Sequence, residues 1–330
     1  MRALAAILLV ACAALAPVSS AAGDGNPADL RDSADDILQH TLDEAIRSLG
    51  LDQAVQRGDL CVSLADISDL QRPRVAQVNG DEMMYAASLP KIGILLTAFV
   101  EIQHDRLQNT PELQELMIRM IRNSSNEAAT QVMKRVGDRR VNEILASPQF
   151  RLYDPLANGG LWVGKEYGAN PAFERDPLHN ISHGATAMQV ARFYYLLESG
   201  KLVNPELTRQ MKEVLSKSAI EHKFVKGMSG RNVALYRKSG TWQHWHADSM
   251  LVESARRTYI LVALSDDSRG GEWLARLAPK IDDLLAPPAL AVNTVAPPPG
   301  ATGSSSILSG TIMKEPGTIA SQPYLRGAFQ

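Results

Sequence analysis

Hydrophobic positions along the chain predict a folded core between residues 29 and 285. Apolar residues recur at helical spacing over residues 29–49, and strand-like runs follow at 60–67 and 74–79. The run at 89–102 is apolar on most sides, which is typical of a helix at the centre of a core.

The remaining pattern places a helical block between two groups of strands. Further helices are predicted over residues 111–121, 126–136, 141–145, 186–197 and 204–215. Strands are predicted over 233–238, 247–252 and 258–265, with a last helix over 273–285. The connection at 148–183, with its Gly and Pro residues, is longer than an ordinary loop and therefore a candidate functional segment. This order indicates an α+β fold: an antiparallel sheet built from both ends of the domain, flanked by helices, with a mostly helical subdomain.

The two ends of the chain differ from this core. Residues 1–22 combine Arg2, an apolar stretch and small residues, which predicts a signal peptide cleaved after Ala21 or Ala22 and a periplasmic or secreted protein. An uncleaved N-terminal anchor and a lipoprotein site at Cys12 are the alternatives, although the apolar stretch is short for a membrane span. Residues 286–330 are rich in Pro, Gly, Ser and Thr, which favours a disordered tail.

Composition narrows the function classes. The chain has 330 residues, 45% of them hydrophobic, and a net charge of −2 without a long basic run, so we expect no nucleic-acid partner. Cys61 lies in an apolar run, which favours a buried thiol over a nucleophile. His244 and His246 stand at i and i+2 but lack a third metal ligand, and a surface or substrate-facing role is favoured. We expect a monomer without metal or cofactor.

Three short motifs carry the candidate chemistry, and each is weak alone but informative in this order and context. They are Ser88-Leu89-Pro90-Lys91 at the start of the apolar helix, Ser124-Ser125-Asn126 between two helices, and Lys238-Ser239-Gly240 at the predicted end of a strand.

The first motif supplies a nucleophile and a base. Lys91 lies three residues after Ser88, so one helix face brings its amine near the hydroxyl. A serine hydroxyl reacts slowly until a base takes its proton, and a buried lysine near another cation can serve as that base. The start of a helix also leaves N–H groups free to stabilise negative charge.

The other two motifs supply proton transfer and substrate contacts. Ser124 can pass a proton to the leaving nitrogen, and Asn126 can hold Lys91 and a substrate amide. Lys238 supplies positive charge near Ser124 and near a substrate carboxylate. Ser239 can bind that carboxylate, and Gly240 lets a substrate lie against the strand edge.

With these residues in place, the sequence resembles the class A β-lactamases and their penicillin-binding relatives, which share S-x-x-K, S-D-N and K-T-G motifs. The resemblance covers most of residues 29–285 and includes the segments 121–129 and 185–197. It implies that the backbone N–H groups of Ser88 and Thr241 form the oxyanion hole.

The chain departs from this family in the 148–183 connection, where no Glu-x-x-Leu-Asn pattern is found. Glu166 is the candidate for the carboxylate that activates the deacylating water, and Asp154 is the other acidic residue considered. Both also fit the role of an ordinary loop carboxylate. The interval between Ser88 and Ser124 is shorter than expected, and no arginine matches the family's carboxylate-binding residue.

The resemblance implies a serine hydrolase that opens β-lactams through an acyl-enzyme, and the predicted signal peptide implies that it is exported. The alternative enzyme is a D-alanyl-D-alanine peptidase or amidase that acts on peptidoglycan-derived peptides and turns β-lactams over slowly. A non-catalytic penicillin-binding module is the alternative of another class.

Overall fold

The computed structural model describes residues 29–168 and 170–285. Its central element is a five-stranded antiparallel sheet. The predicted signal peptide and C-terminal tail lie outside the described residues. The strands are β1 (Leu60–Asp66), β2 (Arg74–Val78), β3 (Met84–Tyr85), β4 (Tyr153–Asp154), β5 (Gly159–Gly160), β6 (Trp162–Val163), β7 (His183–Ala185), β8 (Ala234–Trp242), β9 (Trp245–Glu253) and β10 (Thr258–Asp266). The main sheet has the order β2-β1-β10-β9-β8, and Leu60 pairs with Ser265. Early and late strands therefore form one sheet, as predicted.

Ten α-helices accompany this sheet within the described residues. They are α1 (Asp36–Ser48), α2 (Asp52–Gln56), α3 (Lys91–Gln103), α4 (Pro111–Arg122), α5 (Asn126–Val136), α6 (Asp138–Ala146), α7 (Ala187–Glu198), α8 (Pro205–Leu215), α9 (Phe224–Gly227) and α10 (Gly270–Leu285) among the described residues. The patterns predicted all of them except the short α2 and α9, mostly within three residues at each end. None of the described helices is long and apolar enough to cross a membrane.

The faces of the sheet follow from the alternation of side chains along each strand. In β1, Leu60, Val62 and Leu64 pack into one cluster with α1 and α10. Cys61 and Ala65 point to the other face and join the cluster that contains α3 and α7. Cys61 is buried and unpaired, which confirms the interpretation of this residue as part of the core.

The helical subdomain consists of α3 to α6 with α8, and α3 lies at its centre. Every residue of α3 from Lys91 to Glu101 is buried, as its largely apolar sequence predicted. Ser125 caps the neighbouring α5 by accepting a hydrogen bond from Ala128 N. This cap ends the α4–α5 loop at the residue after Ser124 and thereby fixes the loop beside α3.

The predicted end of β8 is wrong. The strand does not stop at Gly240 but continues to Trp242, turns at Gln243 and His244, and returns as β9. Thr241 and Trp242 have high strand propensity, and Gln243 adopts a left-handed φ of 51° that closes the turn. The 148–183 connection likewise contains the short strands β4 to β6, which pair locally.

Candidate active site

A cavity of about 630 Å³ opens between the β8–β9 hairpin, the turn before α3 and the 148–183 connection. Ser88 and Asn126 line it together with Thr241, Trp242 and Trp245 of the hairpin. From the connection, the lining includes Lys165, Tyr167, Arg175 and His183. The first two motifs therefore reach this cavity directly, and Thr241, the residue after the third motif, lines it as well.

Ser88 lies in the turn that precedes α3 rather than inside the helix, which begins at Lys91. In this turn Leu89 N donates to Ala86 O at 3.0 Å and Lys91 N donates to Ser88 O at 3.4 Å. Ala87 has a left-handed φ of 49°, an uncommon conformation for a non-glycine residue. The turn holds Ser88 half-buried at the edge of the cavity.

Lys91 is fully buried, and its amine has two short hydrogen bonds. Nζ donates to Ser124 O at 2.6 Å and to Asn126 Oδ1 at 2.8 Å. Burial lowers the pKa of Lys91 to about 7. A neutral amine has two N–H bonds and one lone pair, and the two carbonyl oxygens can only accept. The neutral form therefore satisfies both acceptors and keeps its lone pair.

Ser124 lies between two lysines. Its Oγ accepts a hydrogen bond from Lys238 Nζ at 2.9 Å and lies 3.5 Å from Lys91 Nζ. The Ser124 O–H remains available as a donor. Lys238 is also buried, and its pKa lies well below the ordinary value because of burial, with Lys91 and Arg237 as neighbouring cations. A chain of exchangeable protons thus connects the two lysines through Ser124.

Gly240 has a role in this structure that differs from the predicted one. A Cβ at this position would overlap Ala86 O and lie 2.8 Å from Ser88 N and 2.9 Å from Leu89 N. The glycine therefore lets β8 approach the backbone of the turn that carries Ser88, rather than only making room for a substrate. Ser239 is buried and is not among the residues that line the cavity.

Thr241 is exposed at the cavity and rests on a buried cation that the sequence did not indicate. Lys223 Nζ donates to Gly240 O at 2.5 Å, to Thr241 Oγ1 at 2.7 Å and to Ala247 O at 3.1 Å. Burial lowers the pKa of Lys223 to about 8. Lys223 thus holds the two strands of the hairpin together at the level of Thr241.

A row of aromatic rings crosses the cavity from the hairpin to the connection. The ring centroids of Trp245 and Tyr85 lie 5.2 Å apart, those of Tyr85 and His183 6.3 Å, and those of His183 and Tyr167 4.3 Å. The Tyr167 ring also lies 4.4 Å from Lys91 Nζ and covers it. Burial lowers the pKa of His183 to about 4, so this ring is neutral near pH 7.

Glu166 is not brought to the other motif residues. Its carboxylate lies 3.7 Å from Lys134 Nζ and accepts a hydrogen bond from Asn170 Nδ2 at 2.6 Å. The cavity is lined by Lys165 and Tyr167, the residues on either side, but not by Glu166. Asp154 is buried, pairs with Arg151 at 2.6 Å and caps the turn that follows.

The two histidines of the hairpin do not act as a pair. His244 lies in the turn, where its Nε2 contacts Asp266 Oδ1 at 3.0 Å. His246 lies within β9, beside the glycines that begin α10. Within residues 29–168 and 170–285, no group of three or more His, Cys, Asp and Glu side chains could hold a metal ion.

Residues 102–284 match the β-lactamase enzyme family, and because this is more than half of the chain, the protein belongs to that family. The match begins at residue 102 and therefore does not include Ser88 and Lys91. No curated protein matches the chain.

Similar solved structures show the same fold. PBP-A is 16% identical with a TM-score of 0.57, over 76% of this chain and 96% of its own. A β-lactamase from Sphaerobacter thermophilus DSM 20745 is 15% identical with a TM-score of 0.58, over 76% of this chain and 99% of its own. An ancestral class A β-lactamase is 14% identical with a TM-score of 0.58, over 74% and 99%. At these identities the likeness concerns the fold alone.

Proposed function

We propose that this protein is a serine hydrolase that reacts with β-lactams by forming an acyl-enzyme at Ser88. The observation that supports it most is the environment of Lys91: a buried amine with a pKa lowered to about 7 and two bonds to acceptors that leave its lone pair unused. Such a group can accept the Ser88 proton at neutral pH. The hydrolase class itself is supported by membership of the β-lactamase enzyme family.

Acylation in this proposal uses the motif residues in sequence. Lys91 Nζ takes the Ser88 proton while Oγ attacks the carbonyl carbon, and the N–H groups of Ser88 and Thr241 receive the oxyanion. Ser124 Oγ then gives its proton to the leaving nitrogen. Ser124 recovers a proton from Lys91 along the 3.5 Å contact, while Lys238 Nζ stabilises the oxygen from 2.9 Å. Asn126 keeps Lys91 oriented throughout.

Deacylation requires a second base near the attacking water. Among the described residues that line the cavity, none is Asp or Glu. We therefore propose that the acyl-enzyme hydrolyses slowly. This feature favours the second candidate function, a D-alanyl-D-alanine peptidase or amidase on cell-wall peptides. A mutant of PBP-A was solved as an acyl-enzyme complex with penicillin G, so a protein of this fold can hold such an adduct.

A labelling experiment tests the proposal. The mature protein is incubated with a fluorescent penicillin, and intact-mass spectrometry follows the adduct while absorbance follows ring opening. Ser88→Ala should abolish the adduct, whereas Ser182→Ala, which removes another hydroxyl that lines the cavity, should retain it. Release of D-alanine from an N-acylated peptide ending in D-alanyl-D-alanine identifies the peptidase. Labelling that survives in Ser88→Ala contradicts the assignment, and binding without an adduct supports the non-catalytic module.

Export remains part of the proposal. The predicted signal peptide implies a mature protein that begins near Ala22 or Gly23 and is recovered from the periplasmic or extracellular fraction. N-terminal sequencing that finds an intact Met1, or a lipid on Cys12, would contradict it.

A further inference from the structure

Two cations on the 148–183 connection face the cavity without a part in the proposed chemistry. Lys165 and Arg175 both line it, and no acidic residue does so among those described. The motif analysis predicts one substrate carboxylate beside Lys238 and Ser239 on β8, although neither residue lines the cavity. Lys165 and Arg175 belong to a different segment, so they could bind a second negative charge.

Neither side chain forms an ion pair with the described residues. Lys165 has no side-chain hydrogen bond or ion pair with the described residues, while its backbone oxygen bonds His183 Nε2 at 3.0 Å and anchors the main chain. Arg175 Nη1 donates a hydrogen bond to Asn180 O at 3.0 Å, and the side chain has no ion pair within the described ranges. The adjacent Glu166 pairs with Lys134 instead.

The row of aromatic rings shows where Lys165 and Arg175 lie relative to the β8–β9 hairpin. Tyr167, two residues after Lys165, forms one end of the row, and Trp245 of the hairpin forms the other. The buried amines of Lys223, which lies against the hairpin, and of Lys238, which lies on β8, already donate to protein oxygens. A ligand bonded to Ser88 thus has cationic side chains on the connection side and aromatic rings between that side and the hairpin.

We propose that Lys165 and Arg175 form an anion subsite for the acyl side chain, so that the preferred substrates carry a carboxylate on that side chain beside an aromatic or apolar group. This inference rests on the proposed function, because the subsite is defined relative to an acyl group on Ser88. The ammonium of Lys165 and the guanidinium of Arg175 can both form charge-assisted hydrogen bonds with one carboxylate, and the nearby rings offer a surface for the apolar part.

Three penicillins test this directly, because benzylpenicillin, ampicillin and carbenicillin carry hydrogen, ammonium and carboxylate on the same benzylic carbon. The second-order rate constant of acylation is measured for each, and ratios to benzylpenicillin are compared between variants so that intrinsic reactivity cancels. In Lys165→Gln/Arg175→Gln the carbenicillin ratio should fall about fivefold, as expected for partly screened charge pairs, and the ampicillin ratio should rise. The wild-type preference should also weaken with added salt.

Matched controls separate this subsite from net charge and from loop damage. Lys226→Gln/Arg256→Gln removes the same charge at two exposed positions away from the cavity and should leave both ratios unchanged. Lys165→Glu, which retains the Arg175 bond to the loop, should reverse the preference toward ampicillin. Ratios that stay equal to wild type, or that change as much in the control, overturn the subsite alone. Failure of all three penicillins to acylate Ser88 overturns the proposed function together with it.

Discussion

Glu166 and Tyr167 are consecutive residues that face different surroundings. The Tyr167 ring lies 4.4 Å from Lys91 Nζ inside the cavity, whereas the Glu166 carboxylate lies 3.7 Å from Lys134 Nζ on α5. The connection therefore presents a phenol and not a carboxylate to the buried amine. This arrangement bears on both half-reactions of the proposed mechanism.

Glu166→Gln should leave the lifetime of the acyl-enzyme within about threefold of wild type. The reason is that its carboxylate bonds Asn170 and Lys134 and does not line the cavity. Loss of a positioned base would instead slow deacylation by roughly two to four orders of magnitude. Intact-mass spectrometry after removal of free penicillin measures the lifetime. Lys134→Gln, which removes the partner charge, is the control, and a hundredfold slower deacylation in Glu166→Gln alone would restore Glu166 as the base.

Acylation should depend on pH through Lys91. Burial lowers its pKa to about 7, and only the unprotonated amine accepts the Ser88 proton. The rate should therefore rise about tenfold per pH unit below pH 7 and level off above it. Because burial is the cause, Tyr167→Ala admits water to the amine and should move the midpoint upward, slowing acylation at neutral pH. Tyr167→Phe keeps the ring and should keep the midpoint. A midpoint that is the same in all three proteins would contradict this role of the ring.

Gly240→Ala should slow acylation by roughly a hundredfold, because a Cβ would overlap Ala86 O and displace the turn that carries Ser88. Gly227→Ala is a matched control: its Cβ would overlap Ala275 O, a comparable clash away from the cavity. It should lower stability and leave the acylation rate of the folded protein unchanged. Rates are measured by stopped-flow labelling on samples shown to be folded by circular dichroism. Equal rates in Gly240→Ala and wild type would disprove the contact argument.

Lys223→Met should lower the free energy of unfolding by about 1–3 kcal/mol, because Gly240 O, Thr241 Oγ1 and Ala247 O lose their buried donor. It should also slow acylation, since Thr241 is held by the same amine. Urea unfolding and labelling rates measure the two effects. Lys226→Met, three residues further on and exposed, should change neither. A stability loss without any change in acylation would show that Lys223 supports only the hairpin.

Hydrophobic periodicity was sufficient to predict the main fold. The sheet built from both ends of the domain and the buried helix α3 are confirmed. A long apolar run such as 89–102 is stable only when it is buried at the centre of the core. The end of β8 was wrong because Lys238-Ser239-Gly240 looks like a strand end locally, while pairing with β9 carries it to Trp242. Pairing with β9 and the strand propensity of Thr241 and Trp242 outweighed the signal of Gly240.

Site residues that lie within a short motif could be predicted from the sequence. Site residues whose position depends on the path of a loop could not. Lys91 and Asn126 were named from their motifs and meet at 2.8 Å, although their catalytic roles stay predictions. Neither Tyr167 nor Lys223 belongs to a recognisable motif. Each lies in an irregular segment, and only the fold of that segment brings its side chain to the site. Glu166 was predicted from its distance along the sequence after Asn126. An error of one residue in that distance is enough to place Tyr167 at the cavity instead.

The pairing of β1 with β10 also constrains the order in which the protein is synthesised and folds. Leu60 hydrogen-bonds across the sheet to the segment around Ser265, so the central strand pair cannot close until nearly all of the domain has left the ribosome. Pairings so distant in sequence are typical of slow folding. Ser88 and Lys91 are synthesised early, but Lys238 and the hairpin that complete their surroundings arrive late. The groups around Ser88 are therefore assembled only when the end of the domain has been made, a delay that would suit the export proposed above.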